Sequence, residues 1–390
     1  MNREGGREPR VGESSSQQRK WTDIVRGTAE PGRDDDSREP DTPEAAAVVR
    51  HCPQCGAGAR GADRYCEQCG RELSIDRAVL PDRTVDPAAV CAECGATEFD
   101  PDGYCAACGE LRRLPDRSEA DLGAVQLITD RGLVHARNED AVAAAVLHGE
   151  AGPTVVIAVC DGVSTSEDPQ LAAEAGARGG VDACLAAMAA DRATDEAVMA
   201  GLAAAFDAVR GVSRGAGHSP SCTYVSAVLR PSGGADEFEI TIANVGDSRA
   251  YWLSVDEARG LPPSQRLSVD DSWAQALVTA GVMDEQAAMR DPRAHALVRW
   301  LGADAEHKAA DTRISTVQVR GPGVLLLCSD GLWNYLSDPV SLAAIATASQ
   351  PRRAARDLVE YALAGGGNDN ITVALAAVGT KVDELRGAES

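Results

Sequence analysis

Carboxylates stand at the ends of several apolar runs in this chain. They occur in VCDG at Asp161, NVGDSR at Asp247, LCSDG at Asp330 and NDN at Asp369. A further acidic pair, Glu139-Asp140, ends the stretch TDRGLVHARNED, which also carries His135 and Arg137. A single Asp-Gly after a strand is ordinarily a turn. Several strand-end aspartates with an acidic pair ask for more. If their backbones converge, the charges repel one another unless a cation offsets them. Oxygen ligands without convergent Cys or His favour Mg2+ or Mn2+ over zinc. Two such ions can share a water, lower its pKa and hold a phosphoryl group for attack.

A second chemistry lies nearer the N-terminus. CPQCGAGARGADRYCEQCG, from Cys52, is echoed by CAECGATEFDPDGYCAACG, from Cys91. Both read C-x2-C-x10-C-x2-C, with Tyr before the third Cys and Gly after the second and fourth. Cys52, Cys55, Cys66 and Cys69, then Cys91, Cys94, Cys105 and Cys108, form two four-thiolate sets spaced for tetrahedral zinc. Such short segments bury little apolar area, so metal would supply most of their folding free energy. Disulfides are the competing reading, and a reducing compartment disfavours them. Cys160, Cys184, Cys222 and Cys328 lie in apolar surroundings and read as plain buried thiols.

The bulk properties narrow the partners. The formal charge is −22 over 390 residues, which argues against a polyanion partner and an acidic membrane surface. Residues 51–115 hold seven Arg, no Lys and eleven Asp or Glu, so the cysteine repeats are poor nucleic-acid grips and read better as structural or protein-docking units. No stretch approaches the ~20 apolar residues of a membrane span. MNREGGREPR lacks the apolar segment of a secretory signal, so the expected compartment is the cytoplasm.

These residues need elements to position them. Residues 1–50 are polar and rich in Gly, Pro, Ser and Asp, and read as a disordered tail. The cysteine repeats occupy 51–110, a linker 111–120, the main domain 121–380 and a short tail 381–390. Strands are expected at 155–162, 223–230, 238–253, 324–331 and 370–378. Helices are expected at 169–190, 194–214, 271–280 and 351–364, with another starting at Pro339. Strands in succession, with helices outside, indicate an α+β arrangement rather than a regular βαβ series.

Six blocks then occur in one order: DRGLVHARNED, AVCDGVS, SCTYVSAVL, IANVGDSRAYWL, LLLCSDGLW and GGNDNITV. From about residue 124 to 379 the chain resembles the metal-dependent Ser/Thr protein phosphatases of the PPM, or protein phosphatase 2C, type. The cysteine repeats resemble the double zinc ribbons fused to bacterial regulatory proteins. The phosphatase resemblance implies a four-layer αββα sandwich, two central antiparallel sheets flanked by helices, with metals at one end. It implies that Asp161 bridges two Mn2+ or Mg2+ ions, aided by the carbonyl of Gly162. Asp330 and Asp369 would bind the first ion, and Glu139 or Asp140 would act near the second. Asp247 matches a position linked to a third, weaker ion. The implied reaction is hydrolysis of phosphoserine or phosphothreonine by a metal-activated water, without a phosphoenzyme. A flap beside the cleft would follow Asp270.

One departure bears on substrate binding. The family places a phosphate-gripping Arg five residues before the Asp of the Glu-Asp pair, and here that position is His135. A guanidinium gives a permanent charge and a planar fork, whereas an imidazole gives at most two donors. In an extended segment, positions 135 and 137 share a face about 7 Å apart. Arg137 is therefore expected to supply the grip, with His135 beside it. Val163 and Ser164 replace the residues common after the family's Asp-Gly. The expected substrates are phosphoproteins, with a Ser/Thr kinase or its targets as counterpart. The competing readings are a catalytically weak module that senses a phosphorylated partner, and a scaffold whose functional part is the ribbon pair.

Overall fold

In the computed structural model, residues 49–379 are described, apart from 52–54, 56, 61–63, 71, 83–90, 92–93, 101–103, 110–115, 150, 214–218, 235 and 255–260. Cys52, the expected tail up to residue 48 and the C-terminal tail lie outside them.

A small hairpin, β1 (Val49–His51) with β2 (Gly58–Arg60), begins inside the expected tail and runs into the first cysteine repeat. β3 (Ile75–Leu80) comes between the repeats and β4 (Arg117–Asp121) follows the second. Then come β5 (Gln126–Asp130), β6 (Ala141–Leu147), β7 (Thr154–Cys160), α1 (Pro169–Ala189) and α2 (Thr194–Val212). β8 (Ser221–Cys222), β9 (Tyr224–Pro231), β10 (Glu237–Val245), β11 (Arg249–Ser254) and β12 (Gln265–Arg266) follow. The short α3 (Trp273–Thr279) and α4 (Glu285–Ala288) precede β13 (Leu301–Gly302), β14 (Ser315–Arg320) and β15 (Gly323–Cys328). The chain ends in α5 (Asp330–Trp333), α6 (Pro339–Ala346), α7 (Pro351–Ala364) and β16 (Ile371–Val378).

Two six-stranded antiparallel sheets form the centre, in the orders β14-β10-β9-β7-β6-β3 and β12-β11-β15-β16-β5-β4. Their facing sides bury Val142, Val159, Ile157, Trp252, Leu325 and Leu327. The outer side of the first sheet packs on α1 and α2 through Ala-rich contacts around Phe206 and Leu202. The outer side of the second packs on α6 and α7 around Leu342, Leu358 and Leu375. The result is the αββα layering that the phosphatase resemblance implies. Small alanines let helix and sheet approach closely, so few aromatics suffice to fill the core.

The segments around the second cysteine repeat depart from the expected plan. β3 pairs with β6 along its whole length, and β4 pairs with β5. Leu80 is buried, and Ala78 and Ala120 pack with it in the layer between the sheets. Part of the stretch expected as a linker, 111–120, is thus sheet, and the second repeat is inserted between the edge strands of two different sheets. IDRAVL and RSEAD are short and mixed in polarity, because an edge strand keeps one side in water.

The described residues contain no helix long and apolar enough to cross a membrane.

Candidate active site

The strand ends meet at one end of the sandwich. β7 ends at Cys160, so Asp161 emerges from the middle of the first sheet. Asp330 opens α5 directly after β15 and Ser329, and Asp369 precedes β16, the neighbour of β15 in the second sheet. Asp247 lies in the turn between β10 and β11. Asp140 precedes β6.

Close backbone approach and side-chain splints hold these ends together. A Cβ on Gly331 would lie 2.0 Å from the carbonyl oxygen of Asn370, and one on Gly162 would lie 2.6 Å from that of Glu139. Only glycine permits either approach. Asn370 is 2% exposed and ties three segments. Its Oδ1 accepts from the Glu139 amide at 2.7 Å, and its Nδ2 donates to the carbonyls of Arg131 and Arg137 at 2.7 and 3.1 Å. The Ser329 hydroxyl donates to Asp140 Oδ2 at 2.8 Å. The Asp161 amide donates to Thr223 Oγ1 at 3.0 Å, and the Thr223 amide donates back to the Asp161 carbonyl at 2.8 Å. Asp247 is fixed by Trp333, whose indole donates to its carbonyl at 2.8 Å, while the Arg249 guanidinium lies over the same ring.

The electrostatics are strained by design of the fold. Burial pushes the carboxyls of Asp140, Asp161 and Asp247 well above the ordinary carboxylate range, and neighbouring aspartates push them further. Burial first, then the charge of Asp369, raises Asp330 to about 6. Oδ1 of Asp140 and Oδ1 of Asp330 are buried without a hydrogen-bond partner. Orphaned carboxylate oxygens in such a place are costly unless a cation meets them. The donor set is all oxygen at Asp161, Asp330, Asp369 and Asp140, and it fits Mg2+ or Mn2+.

A cavity of about 520 Å3 opens over this cluster. Asp161, Gly162, Asp247, Asp330 and Asp369 form its floor. One wall is rich in hydroxyls, with Ser164, Thr165, Ser166, Ser221 and Thr223, and the other comes from the flap, with His295, Leu297 and Trp300. Among the described residues, no Lys or Arg lines it.

The glutamate and both candidate phosphate-binding residues are engaged with neighbours. His135 Nε2 lies 3.2 Å from Asp369 Oδ1. Arg137 Nε donates to Glu139 Oε1 at 2.9 Å, with its side chain half exposed. The other oxygen of Glu139 accepts from Ser164 Oγ at 2.6 Å. Glu139 therefore links Arg137 to the loop after Asp161, while Asp140 turns inward to Ser329. His295 and Trp300 fall in the stretch expected as a flap, but the sequence did not single them out. HALVRW carries no metal or catalytic signature, and only the fold of the flap brings it to the cavity.

In the cysteine repeats, Sγ atoms of Cys91 and Cys108 lie 3.6 Å apart, as do those of Cys94 and Cys105, and all four gather at one point. Cys55, Cys66 and Cys69 gather likewise. Gly70, Gly95 and Gly109 take positive φ and donate their amides to the carbonyls of Cys66, Cys91 and Cys105 at 2.8, 2.9 and 2.8 Å.

Comparison with known proteins finds relatives for part of the chain. No family model matches the chain. It is 33% identical over 153 residues to the serine/threonine phosphatase stp of Listeria innocua, a match spanning 39% of this chain and 55% of that protein. It is 30% identical over 257 residues to the serine/threonine protein phosphatase PstP of Mycobacterium tuberculosis, spanning 64% of this chain and 44% of that one. The chain thus spans about half the length of the curated relatives it matches. The crystal structure of a bacterial serine phosphatase carrying a point mutation superimposes with a TM-score of 0.52 at 21% identity, covering 65% of this chain and 97% of that one. The domain that carries the aspartate cluster therefore has the αββα sandwich fold of that phosphatase.

Proposed function

We propose that the chain is a protein serine/threonine phosphatase of the PPM type, hydrolysing phosphoserine and phosphothreonine in phosphoproteins. One observation carries the reading: Asp161, Asp247, Asp330 and Asp369 come from distant segments to the floor of one cavity, beside orphaned buried carboxylate oxygens. Asp161, Asp330, Asp369 and Asp140, with the carbonyl of Gly162, would hold two Mn2+ or Mg2+ ions. Those ions would supply Lewis acidity toward a water and the phosphoryl oxygens.

The chain's own residues do the rest. Asn370 and Ser329 hold the carboxylates at fixed separations, so little reorganisation is needed when substrate arrives. His135, held against Asp369, would give a phosphoryl group bound there one hydrogen bond. Arg137 keeps its terminal nitrogens free of any hydrogen bond among the described residues while Glu139 fixes its Nε. In that pose its terminal nitrogens would be available to a phosphate oxygen. The hydroxyl wall and Trp300 seat the peptide on either side. A Ser/Thr kinase or its targets are the natural counterpart, since the reaction reverses theirs.

The test is release of phosphate from a phosphothreonine peptide. Mn2+ should start it, chelation should stop it, and Asp161→Asn should abolish it. Absence of metal-stimulated release from any phosphopeptide refutes the reading. A second reading, a phosphate-sensing module of weak activity, draws on the Arg137–Glu139 pair and on a cavity that no Lys or Arg among the described residues lines. Tight phosphopeptide binding without turnover would select it.

The cysteine sets are proposed as two structural zinc sites. Sulfurs on a tetrahedral zinc with Zn–S of about 2.3 Å stand about 3.8 Å apart. The observed 3.6 Å separations are close to that value. Elemental analysis should find two zinc ions per chain.

A further inference from the structure

The oxygen cluster has a nitrogen neighbour that the sequence motifs do not announce. Ligand atoms of Asp247, His295 and Asp330 lie within 4.8 Å of one another. Among the described residues, no hydrogen bond or ion pair joins the imidazole to either carboxylate. The three atoms are not bonded to one another yet are close enough for one ion to meet all of them.

Two further features place His295 there. Its ring stacks on Trp333, with centroids 5.7 Å apart and planes at 21°. The same indole donates to the carbonyl of Asp247. One aromatic side chain thus sets the imidazole and the aspartate relative to each other. The flap is pinned as well. The Asp271 amide donates to the Gly246 carbonyl at 2.7 Å, beside Asp247. The Trp273 amide donates to Ala296 and the Val298 amide to Asp271, at 2.8 and 2.9 Å. His295 therefore rides on backbone that is hydrogen-bonded back to the Asp247 turn. Oδ1 of Asp330, buried and unpartnered, supplies the unmet oxygen.

We propose that His295 is a nitrogen ligand that turns the Asp247–Asp330 edge of the centre into a mixed nitrogen and oxygen site. That site takes Mn2+ or a later first-row ion in preference to Mg2+, and it ties the flap to the strand-end carboxylates. This rests on the metal-dependent reading above. Mg2+ keeps oxygen ligands and water, whereas imidazole suits transition ions.

The test is pulsed EPR on the full chain loaded with Mn2+, together with equilibrium dialysis of Mn2+ against a large excess of Mg2+. The wild type should show 14N modulation from a coordinated imidazole and retain one Mn2+ that Mg2+ does not displace. His295→Ala should lose the modulation and weaken that ion about tenfold or more, with the remaining Mn2+ binding unchanged. His135→Ala should keep the modulation. His295→Gln gives a second variant at the same position, and unchanged melting of both variants in chelator shows that the fold is intact. Mn2+ bound without 14N modulation, or modulation surviving in His295→Ala, overturns the proposal and leaves the phosphatase reading standing. No Mn2+ binding at all overturns both.

Discussion

Replacing Asp330 by asparagine should make the protein more stable when divalent ions are absent. The side chains are nearly isosteric, and Asn334 can still donate to the new amide oxygen, as it does to Asp330 Oδ2 at 3.1 Å. What changes is charge. Burial and Asp369 raise the folded-state pKa of Asp330 from 3.8 to about 6. Two pKa units correspond to ~3 kcal/mol of penalty on the charged form. For a domain of this size, 1 kcal/mol moves Tm by ~2–4 °C, so the variant should melt roughly 5–10 °C higher in chelator at about pH 8. The pH dependence fixes the cause. A raised carboxyl pKa stabilises the fold fully below the unfolded value, and that stability is lost as pH rises through about 6. The gap between variant and wild type should therefore be near zero below about pH 4, grow between about pH 4 and 6, and stay level above. With excess Mn2+ the order should reverse, because binding stabilises only the form that holds the ion. Differential scanning calorimetry across pH, with chelator and then Mn2+, measures all of this. A variant less stable than wild type in chelator at about pH 8, or a gap that persists below about pH 4, would refute the electrostatic argument.

Arg137→Ala should raise KM roughly tenfold or more, the worth of a charge-assisted hydrogen bond, and His135→Ala should do so less. Unchanged KM and kcat in Arg137→Ala would show that its pair with Glu139 is its whole role. Asn370→Ala should cost about 2–4 kcal/mol in thermal unfolding, because it leaves the Glu139 amide and two carbonyls without their partner. Its kcat should fall further than stability explains, since the segment from Arg131 to Glu139 loses its splint. Removing residues 1–118 takes away β3 and the start of β4, with Leu80 from the inter-sheet layer. That deletion should lower the unfolding stability by at least the ~1.5–3 kcal/mol of one buried leucine, and removing residues 1–73 should lower it less. Equal melting of the two deletions would mean that the edge strands add nothing.

Much of the site was legible because its chemistry sits at strand ends. A long apolar run closed by Asp, as at Asp161, Asp330 and Asp247, fixes both the element and the place where its carboxylate emerges. The helices at α1, α2 and α7 were equally plain from their alanine-rich stretches. The edge strands β3 and β4 were not, because a short strand with one wet side leaves little periodic signal, and its partner lies far along the chain. His295 was hidden for another reason. Its place depends on the Asp271–Gly246 and Trp273–Ala296 backbone bonds of the flap, and nothing in DPRAHALVRW encodes them locally. The pairing of Arg137 with Glu139, two residues on, was open from spacing alone. In an extended strand those positions share a face as well as 135 and 137 do.

The central claim is that carboxylates from separate segments surround divalent ions. Anomalous diffraction from crystals grown with Mn2+ tests it most directly. The account predicts strong manganese peaks among Asp161, Asp330 and Asp369, with Asp161 touching two of them. A map with no anomalous density between those three side chains would contradict it.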